Sequence, residues 1–367
     1  MSKKGRVLVA MSGGVDSSVA ALLLHEQGYE VIGITMKTWD YATSGGTKKE
    51  TGCCSLDSIN DARNLAVRFG FPHYILDLRS EFGDSIINNF VDEYLAGRTP
   101  NPCILCNTHI KWEALLKRAD MLECEYIATG HYAKVRHENI QGKGRYLVSK
   151  GEDENKDQSY VLWGLTQESL KRTIFPAGEY RKPDIRKIAM DSGFEDLAKK
   201  KESYEICFIP DNDYRSFLKR RVNGLEEKVN DGNFVLTDGT VVGNHKGYPF
   251  YTIGQRKGLE IALGEPMFVT EVMPGNNTVV LGKKEELQKD SMTVGRYNLI
   301  KYETLPSPMQ AHTKIRYKDP GAPATLNESE GKIRVNFHTK VNAITPGQSA
   351  VFYEGADVIG GGFIEKP

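Results

Sequence analysis

The sequence predicts an α/β protein whose N-terminal part is a parallel sheet with helices on both faces, followed by a small β-rich central module and a C-terminal β-barrel. Three observations carry that expectation. Over the first 130 residues strand-like apolar runs alternate with helical stripes, as in a parallel sheet built from β-α units. A turn rich in glycine and serine, SGGVDSS, joins the first run to the first stripe. Beyond Asp231 the helical pattern stops, and short β-rich segments such as FVLTDGTVVG, NTVVLG and SAVFYEG follow across Asp-Gly and Pro-Gly turns.

Taken in order, Arg6–Met11 is a short apolar strand, and Asp16–Gln27 carries Val19, Leu22, Leu23 and Leu24 at helical spacing. Tyr29–Met36 reads as the second strand, and Asp57–Phe69 as a helix ended by Gly70 and Pro72. His73–Leu78 is a strand, Ser80–Leu95 and Ile110–Met121 are helices, and Tyr126–Thr129 is a strand running into Gly130 and His131. From Leu162 to Leu218 the pattern is helical and basic, with pairs such as Lys171–Arg172, Arg181–Lys182 and Arg186–Lys187. The expected division is 1–210 for the α/β domain with its basic helical extension, 211–282 for the central module and 283–367 for the barrel. The stretch YATSGGTKKET is the best candidate for a mobile loop.

Bulk properties exclude several classes. No apolar run in the 367 residues approaches the roughly 20 needed to span a bilayer. Asp16 and the neighbouring glycines break the first apolar run before a signal-peptide core forms, so the expected location is the cytoplasm. Lysine plus arginine equals aspartate plus glutamate at 48 each, so a nucleic acid would be held by local basic patches and not by a global field. Six cysteines (Cys53, Cys54, Cys103, Cys106, Cys124 and Cys207) are too sparse for a secreted disulfide framework and point to thiol chemistry or a metal.

The segment Ser12-Gly13-Gly14-Val15-Asp16-Ser17-Ser18 lies between a strand and a helix, where backbone N–H groups and hydroxyls face an anion with help from the helix dipole. It lacks the Gly-Lys-Ser/Thr ending of a Walker loop. A cradle without lysine suits pyrophosphate in an adenylating enzyme better than γ-phosphate transfer. Cys103 and Cys106, spaced C-x-x-C, read as half a zinc site, a redox pair or a nucleophile loop. The adjacent Cys53 and Cys54 are poorly spaced for completing a zinc knuckle, and the flanking prolines and asparagine argue against a thioredoxin-type helix start. Cys124 fits an inert core thiol.

The loop resembles the PP-loop ATPases, which split ATP to AMP and pyrophosphate and activate a carbonyl oxygen as an adenylate. Within them the chain resembles the bacterial tRNA-specific 2-thiouridylases nearly end to end. TPNPCILCN, ATGHYA, KDQSYVLW, ESYEICFIP, YTIGQRKGL and KIRY stand in that family's order. The resemblance implies ATP-dependent 2-thiolation of the wobble uridine (U34) of tRNA, with release of AMP and pyrophosphate. It assigns Cys106 as the catalytic cysteine and Cys207 as the persulfide carrier, with Cys106 either attacking C2 or opening the persulfide by forming a Cys106–Cys207 disulfide. Where the reference members carry aspartate, this chain has Cys103. It also implies ATP binding by Ala10, Met11, Ser12, Gly13, Gly14, Val15, Asp16, Ser17, Met36 and Gly130, with Mg2+ and with Asp16 as a plausible ligand. Contacts to tRNA are implied at Asn101, Pro102 and Cys103, at Lys156, Asp157 and Gln158, and at Arg316 and Tyr317. The implied partners are tRNAs for Lys, Glu and Gln and a sulfur donor, either a cysteine desulfurase or a relay protein.

A competing route has Cys103, Cys106 and Cys207 holding a [4Fe–4S] cluster with one open iron. Two rivals differ in class. A PP-loop ligase of small molecules explains the loop but leaves the cysteines and the β-rich half without a task. A non-catalytic RNA-binding module carrying a metal leaves the nucleotide loop vestigial. The pairs between 171 and 221 are expected to supply most phosphate affinity, and YTIGQRKGLEIALGEP reads as a structural spacer.

Overall fold

The computed structural model describes residues 4–39, 55–200, 206–209 and 211–366. The expected loop at 41–51, together with Cys53 and Cys54, lies outside the described residues.

Strands β1 (Arg6–Ala10), β2 (Glu30–Lys37), β3 (His73–Asp77) and β4 (Tyr126–Ala128), with the short strand Thr173–Ile174, form a parallel sheet. Their order is β3-β2-β1-β4 and then 173–174. Val7, Leu8 and Val9 of β1 are wholly buried, as expected of a central parallel strand covered on both faces. The chain leaves β1 for β2 on one side and later reaches β4 on the other. The carboxyl ends of β1 and β4 therefore border the topological switch point, where open α/β sheets bind ligands.

Helix α1 (Val15–Glu26) buries Val15 and every residue from Ser17 to Leu24, so it is not the one-sided helix its spacing predicts. The sheet covers one face, and the turn Pro176–Glu179 and helix Lys182–Asp191 cover another. Helix α2 (Leu56–Phe69) is one-sided, burying Ile59, Ala62, Leu65 and Ala66. The Ser55 hydroxyl accepts from the Ser58 N–H at its start, and Gly70 (φ +74°) ends it in the left-handed conformation.

The structure departs from the sequence reading at the C-x-x-C. Pro102 opens a helix (Pro102–Leu105), which continues through a π-helical stretch (Cys106–Trp112) into Glu113–Met121. Proline at the first helical position needs no N–H partner, so it is a start signal here and not a breaker. A hairpin of Ala133–Ile140 and Lys143–Lys150 also departs from expectation. It extends the barrel sheet through Ser149 and Asp357, and its charged sequence gives almost no apolar alternation to read.

The central module pairs Phe268–Met273, Thr278–Gly282, Gly232–Leu236 and Val241–His245 in that order. Its Phe250, Val269 and Leu281 share one core with Phe82, Phe90, Phe208 and Phe217. In the last part six antiparallel strands, from Gln288–Leu299 to Asp357–Ile364, close into a barrel because the first pairs with the last. Closure removes the open sheet edge, as the sequence predicts. Among the described residues no helix is long and apolar enough to cross a membrane.

Candidate active site

The loop after β1 is folded on itself. The Ser12 N–H donates to Ser17 Oγ at 3.0 Å, the Ser12 and Ser17 hydroxyls lie 3.2 Å apart, and Ser17 Oγ donates to the Gly14 carbonyl at 3.2 Å. Gly14 is the N-cap of α1 and supplies no side chain, so the first helical N–H groups are left for another acceptor. Gly13 is left-handed (φ +68°), and a Cβ there would stand 2.0 Å from the Ser58 carbonyl oxygen. Gly130, just past β4, presses on the helix start: a Cβ would lie 2.6 Å from Ser17 N. Lys200 closes the outer side, donating to the Gly13 carbonyl (3.0 Å), Ser58 Oγ (3.2 Å) and Asp61 (2.8 Å). An uncapped helix start behind two glycines fits a pyrophosphate group. Ala10 and Met11 lie at the carboxyl end of β1 and Met36 near that of β2, at the same edge of the sheet.

Asp16 does not face the cradle as an unoccupied carboxylate. Lys182 Nζ lies 2.7 Å from each of its oxygens, and Tyr132 Oη donates to Oδ1 at 2.6 Å. Lys182 is only 6% exposed, and its backbone N–H donates to Asp153 at 2.9 Å. A metal ion on Asp16 would have to displace that ammonium. Mg2+ fits this site as the ion carried by the nucleotide's own phosphates, where it keeps most of its waters. The sequence reading missed Lys182, Tyr132 and Lys200, because their contacts span 116 to 187 residues.

The helix bearing the thiols is held from two sides. Trp112 Nε1 donates to Thr173 Oγ1 at 2.9 Å, and Asn107 Nδ2 donates to the Val161 carbonyl at 3.0 Å. His131 sits between the rings of Trp112 and Phe175, with Nδ1 2.6 Å from Thr129 Oγ1. Burial, and then the Lys111 charge, push its pKa well below the usual imidazole value, so it is neutral at pH 7. Cys103 is exposed to solvent along part of its side chain. Burial pushes its thiol pKa up against the opposing charge of Lys111, so it stays protonated at neutral pH. Cys103 is therefore a poor substitute for a carboxylate base. Cys124 is buried with its thiol raised to about 11, chiefly by burial, which suits the inert reading.

Cys106 and Ile206 both pack against the core that contains Phe208 and Ile209, the residues just after Cys207. Cys106 is half-buried, Cys207 is exposed, and no disulfide joins them. Among the described residues no three His, Cys, Asp or Glu side chains are grouped to hold a metal. Cys103, Cys106 and Cys207 are thus not assembled as cluster ligands.

The three segments expected to touch tRNA converge around Tyr160. Its ring lies 6.0 Å from that of Tyr317, its hydroxyl interacts with Asn101, and Arg316 is close enough to act on it electrostatically. Ser159 bonds both Asp157 and Tyr353, and Gln158 Oε1 accepts from the Tyr132 N–H at 3.0 Å. Asp157 and Gln158 therefore also brace the loop in which they sit. In the basic run, Lys182 is buried, Arg172 and Arg186 bond backbone carbonyls, and Lys187, Lys199 and Lys219 sit in ion pairs.

A phosphate cradle at the switch point of a parallel sheet, joined to two β modules, defines a PP-loop ATPase with accessory barrels. Family models match in the same sequence: a tRNA methyl transferase HUP domain over residues 5–211, a tRNA methyl transferase PRC-barrel domain over 215–283 and an aminomethyltransferase beta-barrel domain over 289–364. The tRNA-specific 2-thiouridylase of Amoebophilus asiaticus is 67% identical over 99% of this chain and 96% of its own. That of Cytophaga hutchinsonii is 66% identical over 100% and 99%, and that of Salinibacter ruber 61% over 100% and 96%. The chain belongs to the tRNA-specific 2-thiouridylase family.

Proposed function

We propose that this chain is a cytoplasmic tRNA-uridine 2-sulfurtransferase acting on U34, the wobble uridine, of tRNAs for Lys, Glu and Gln. The observation that carries the reading is the uncapped start of α1 with Gly130 packed on it, next to His131, whose ring packs on Trp112 of the helix that carries Cys106. Full-length identity to 2-thiouridylases supports it further. A carbonyl oxygen is a poor leaving group, and transfer of AMP from ATP to the uridine O2, with loss of pyrophosphate, makes it a good one. The terminal sulfur of a persulfide on Cys207 then attacks C2, and AMP departs with the oxygen. The Cys106 thiolate next attacks the Cys207 sulfur, releasing the thiocarbonyl and leaving a Cys106–Cys207 disulfide for an external thiol to reduce. A cysteine desulfurase or a relay protein reloads Cys207. In this scheme Ser12 to Ser17 hold the phosphates, Ala10, Met11 and Met36 the adenosine side, and Mg2+ arrives on the nucleotide. Asn101, Pro102 and Cys103 flank the target base, while Lys156–Gln158 and Arg316–Tyr317 meet the tRNA. Taking the target base out of its stack costs a few kcal/mol, which those contacts offset.

The test is nucleoside mass spectrometry on unmodified tRNA incubated with the protein, Mg-ATP and a sulfur source, with Cys106→Ser and Cys207→Ser alongside. The expected result is 2-thiouridine from the wild type and none from either variant, with or without oxygen. Pyrophosphate release driven by a small molecule, with tRNA inert, would overturn the reading in favour of a small-molecule ligase.

A further inference from the structure

The turn 252–257 of the central module, expected from its sequence to be only a spacer, is bolted to the strand Phe268–Met273. The Gly254 N–H donates to the Val269 carbonyl at 2.8 Å, and the Val269 N–H donates back to the Gln255 carbonyl at 3.0 Å. Gln255 also braces the turn from within. Its Oε1 accepts from the Thr252 N–H at 3.2 Å, and its Nε2 donates to the Lys257 carbonyl at 3.0 Å. This fixed backbone presents Arg256 and Lys257 to solvent. Arg215, half-buried, comes up beside them from the helix Tyr214–Arg221, its nearest nitrogen 3.8 Å from where a Gly258 Cβ would stand. The guanidinium lies 5.7 Å from the ring centre of Tyr251 and 6.0 Å from that of Tyr214, and Tyr214 stacks on Tyr94 at 4.7 Å.

Among the described residues none of Arg215, Arg256 and Lys257 is in an ion pair, and the acids around them are already engaged. Glu260 pairs with Lys246 at 2.8 Å, Glu265 pairs with Lys283 at 3.0 Å, and Asp213 accepts from the Ser216 N–H at 3.0 Å. A cleft of about 460 Å³ opens against the turn, with Arg256 on its wall and Leu259, Ile261 and Met267 lining it. The basic run between 171 and 221, by contrast, spends much of its charge on carbonyls and carboxylates of the chain itself. We propose that Arg215, Arg256 and Lys257 form a phosphate site for the backbone of a double-stranded stem of the tRNA. The site supplies affinity that the neutralised pairs of the basic run do not. A stem is favoured over a single strand because single strands need open aromatic faces to stack on. Here Tyr251 is buried and Tyr214 is already stacked, so the surface offers charge alone. The rings also hold the Arg215 fork in place before binding, which lowers the ordering cost of gripping phosphate oxygens. The inference rests on the thiolation reading for its tRNA substrate.

The experiment measures binding of unmodified tRNA to the full chain by fluorescence anisotropy across a salt series. Wild type is compared with Arg256→Gln/Lys257→Gln, Arg215→Gln and Arg215→Lys. Each lost phosphate contact flattens the plot of log Kd against log salt by about one, so the double variant should lose about two and Arg215→Gln about one. Arg215→Lys keeps the charge and should keep the slope, which separates charge from packing on the rings. At about 0.15 M salt the double variant should bind tRNA about tenfold more weakly. Its affinity for a single-stranded RNA of the anticodon-loop sequence and for Mg-ATP should stay within about twofold, the latter as a check on folding. Unchanged tRNA affinity and slope would overturn the site. So would loss of sulfur delivery from a protein donor with tRNA affinity intact, which would give the patch to an acidic protein surface. An equal loss for the single strand would overturn the assignment to a stem. Wild type that binds no tRNA at all would overturn the thiolation reading and this site together, whereas normal wild-type binding beside unaltered variants would overturn the site alone.

Discussion

Loss of Lys182 tests whether the loop geometry depends on the buried cation beneath it. Lys182→Met leaves the Asp16 carboxylate with Tyr132 as its remaining partner among the contacts described above. Breaking a fully buried pair from one side costs about 3–5 kcal/mol. The Asp16 side chain is 32% exposed, so water recovers part of that, and about 2–3 kcal/mol is expected. Asp16→Asn should also destabilise the loop, because it removes the countercharge of an ammonium whose side chain is only 8% exposed and leaves a neutral amide oxygen as acceptor. The double variant Asp16→Asn/Lys182→Met should recover at least about 1 kcal/mol relative to the sum of the singles. Native-state hydrogen exchange at residues 12–18 reads these values locally and avoids assuming two-state unfolding of a multidomain chain. Pyrophosphate release should fall in both single variants. Additive costs below about 0.5 kcal/mol each, with pyrophosphate release intact, would show that the pair does not hold the loop.

Other outcomes follow from single contacts. Gly130→Ala places a methyl 2.6 Å from Ser17 N and should abolish ATP turnover while leaving the barrel folded, checked by pyrophosphate release and circular dichroism. Burial holds the His245 pKa down at about 4, below its unfolded value of about 6.5, so its neutral form stabilises the fold. That contribution is complete above pH 6.5 and lost as pH falls towards 4, about 3 kcal/mol in all. Exchange in Gly232–Leu236 should accelerate over that window, and His245→Phe should flatten the dependence. Because its thiol is held protonated, Cys103 should alkylate more slowly at pH 7.5 than a model thiol, and faster once the pH passes 9. Equal rates across that range would contradict the burial argument.

Much of this protein is legible along the chain because its signals are local. The glycines of the cradle, the continuous apolar run of β1, Gly70 behind α2 and the turns of the β-rich half each record a backbone requirement of adjacent residues. Local signals point to the glycine loop at the end of β1, to the parallel sheet and to the β-rich half that closes into a barrel. What the tertiary structure decided is who stands opposite whom. Lys182 neutralises Asp16 across 166 residues, the Gln348 amide donates to the Pro100 carbonyl across 248, and Arg136 meets Asp357 across 221. No periodicity encodes such pairs, because each partner looks like an ordinary polar residue in its own segment. Burial made the difference at single sites too: Lys182 reads as one half of a basic surface pair, yet the helix Lys182–Asp191 packs on α1 and carries it inside. Sequence therefore determined the chemistry available to this chain. The folded structure determined which groups are neutralised, which stay protonated and which hold the cysteine helix in place, because these depend on desolvation and distance, and both arise only when remote segments meet.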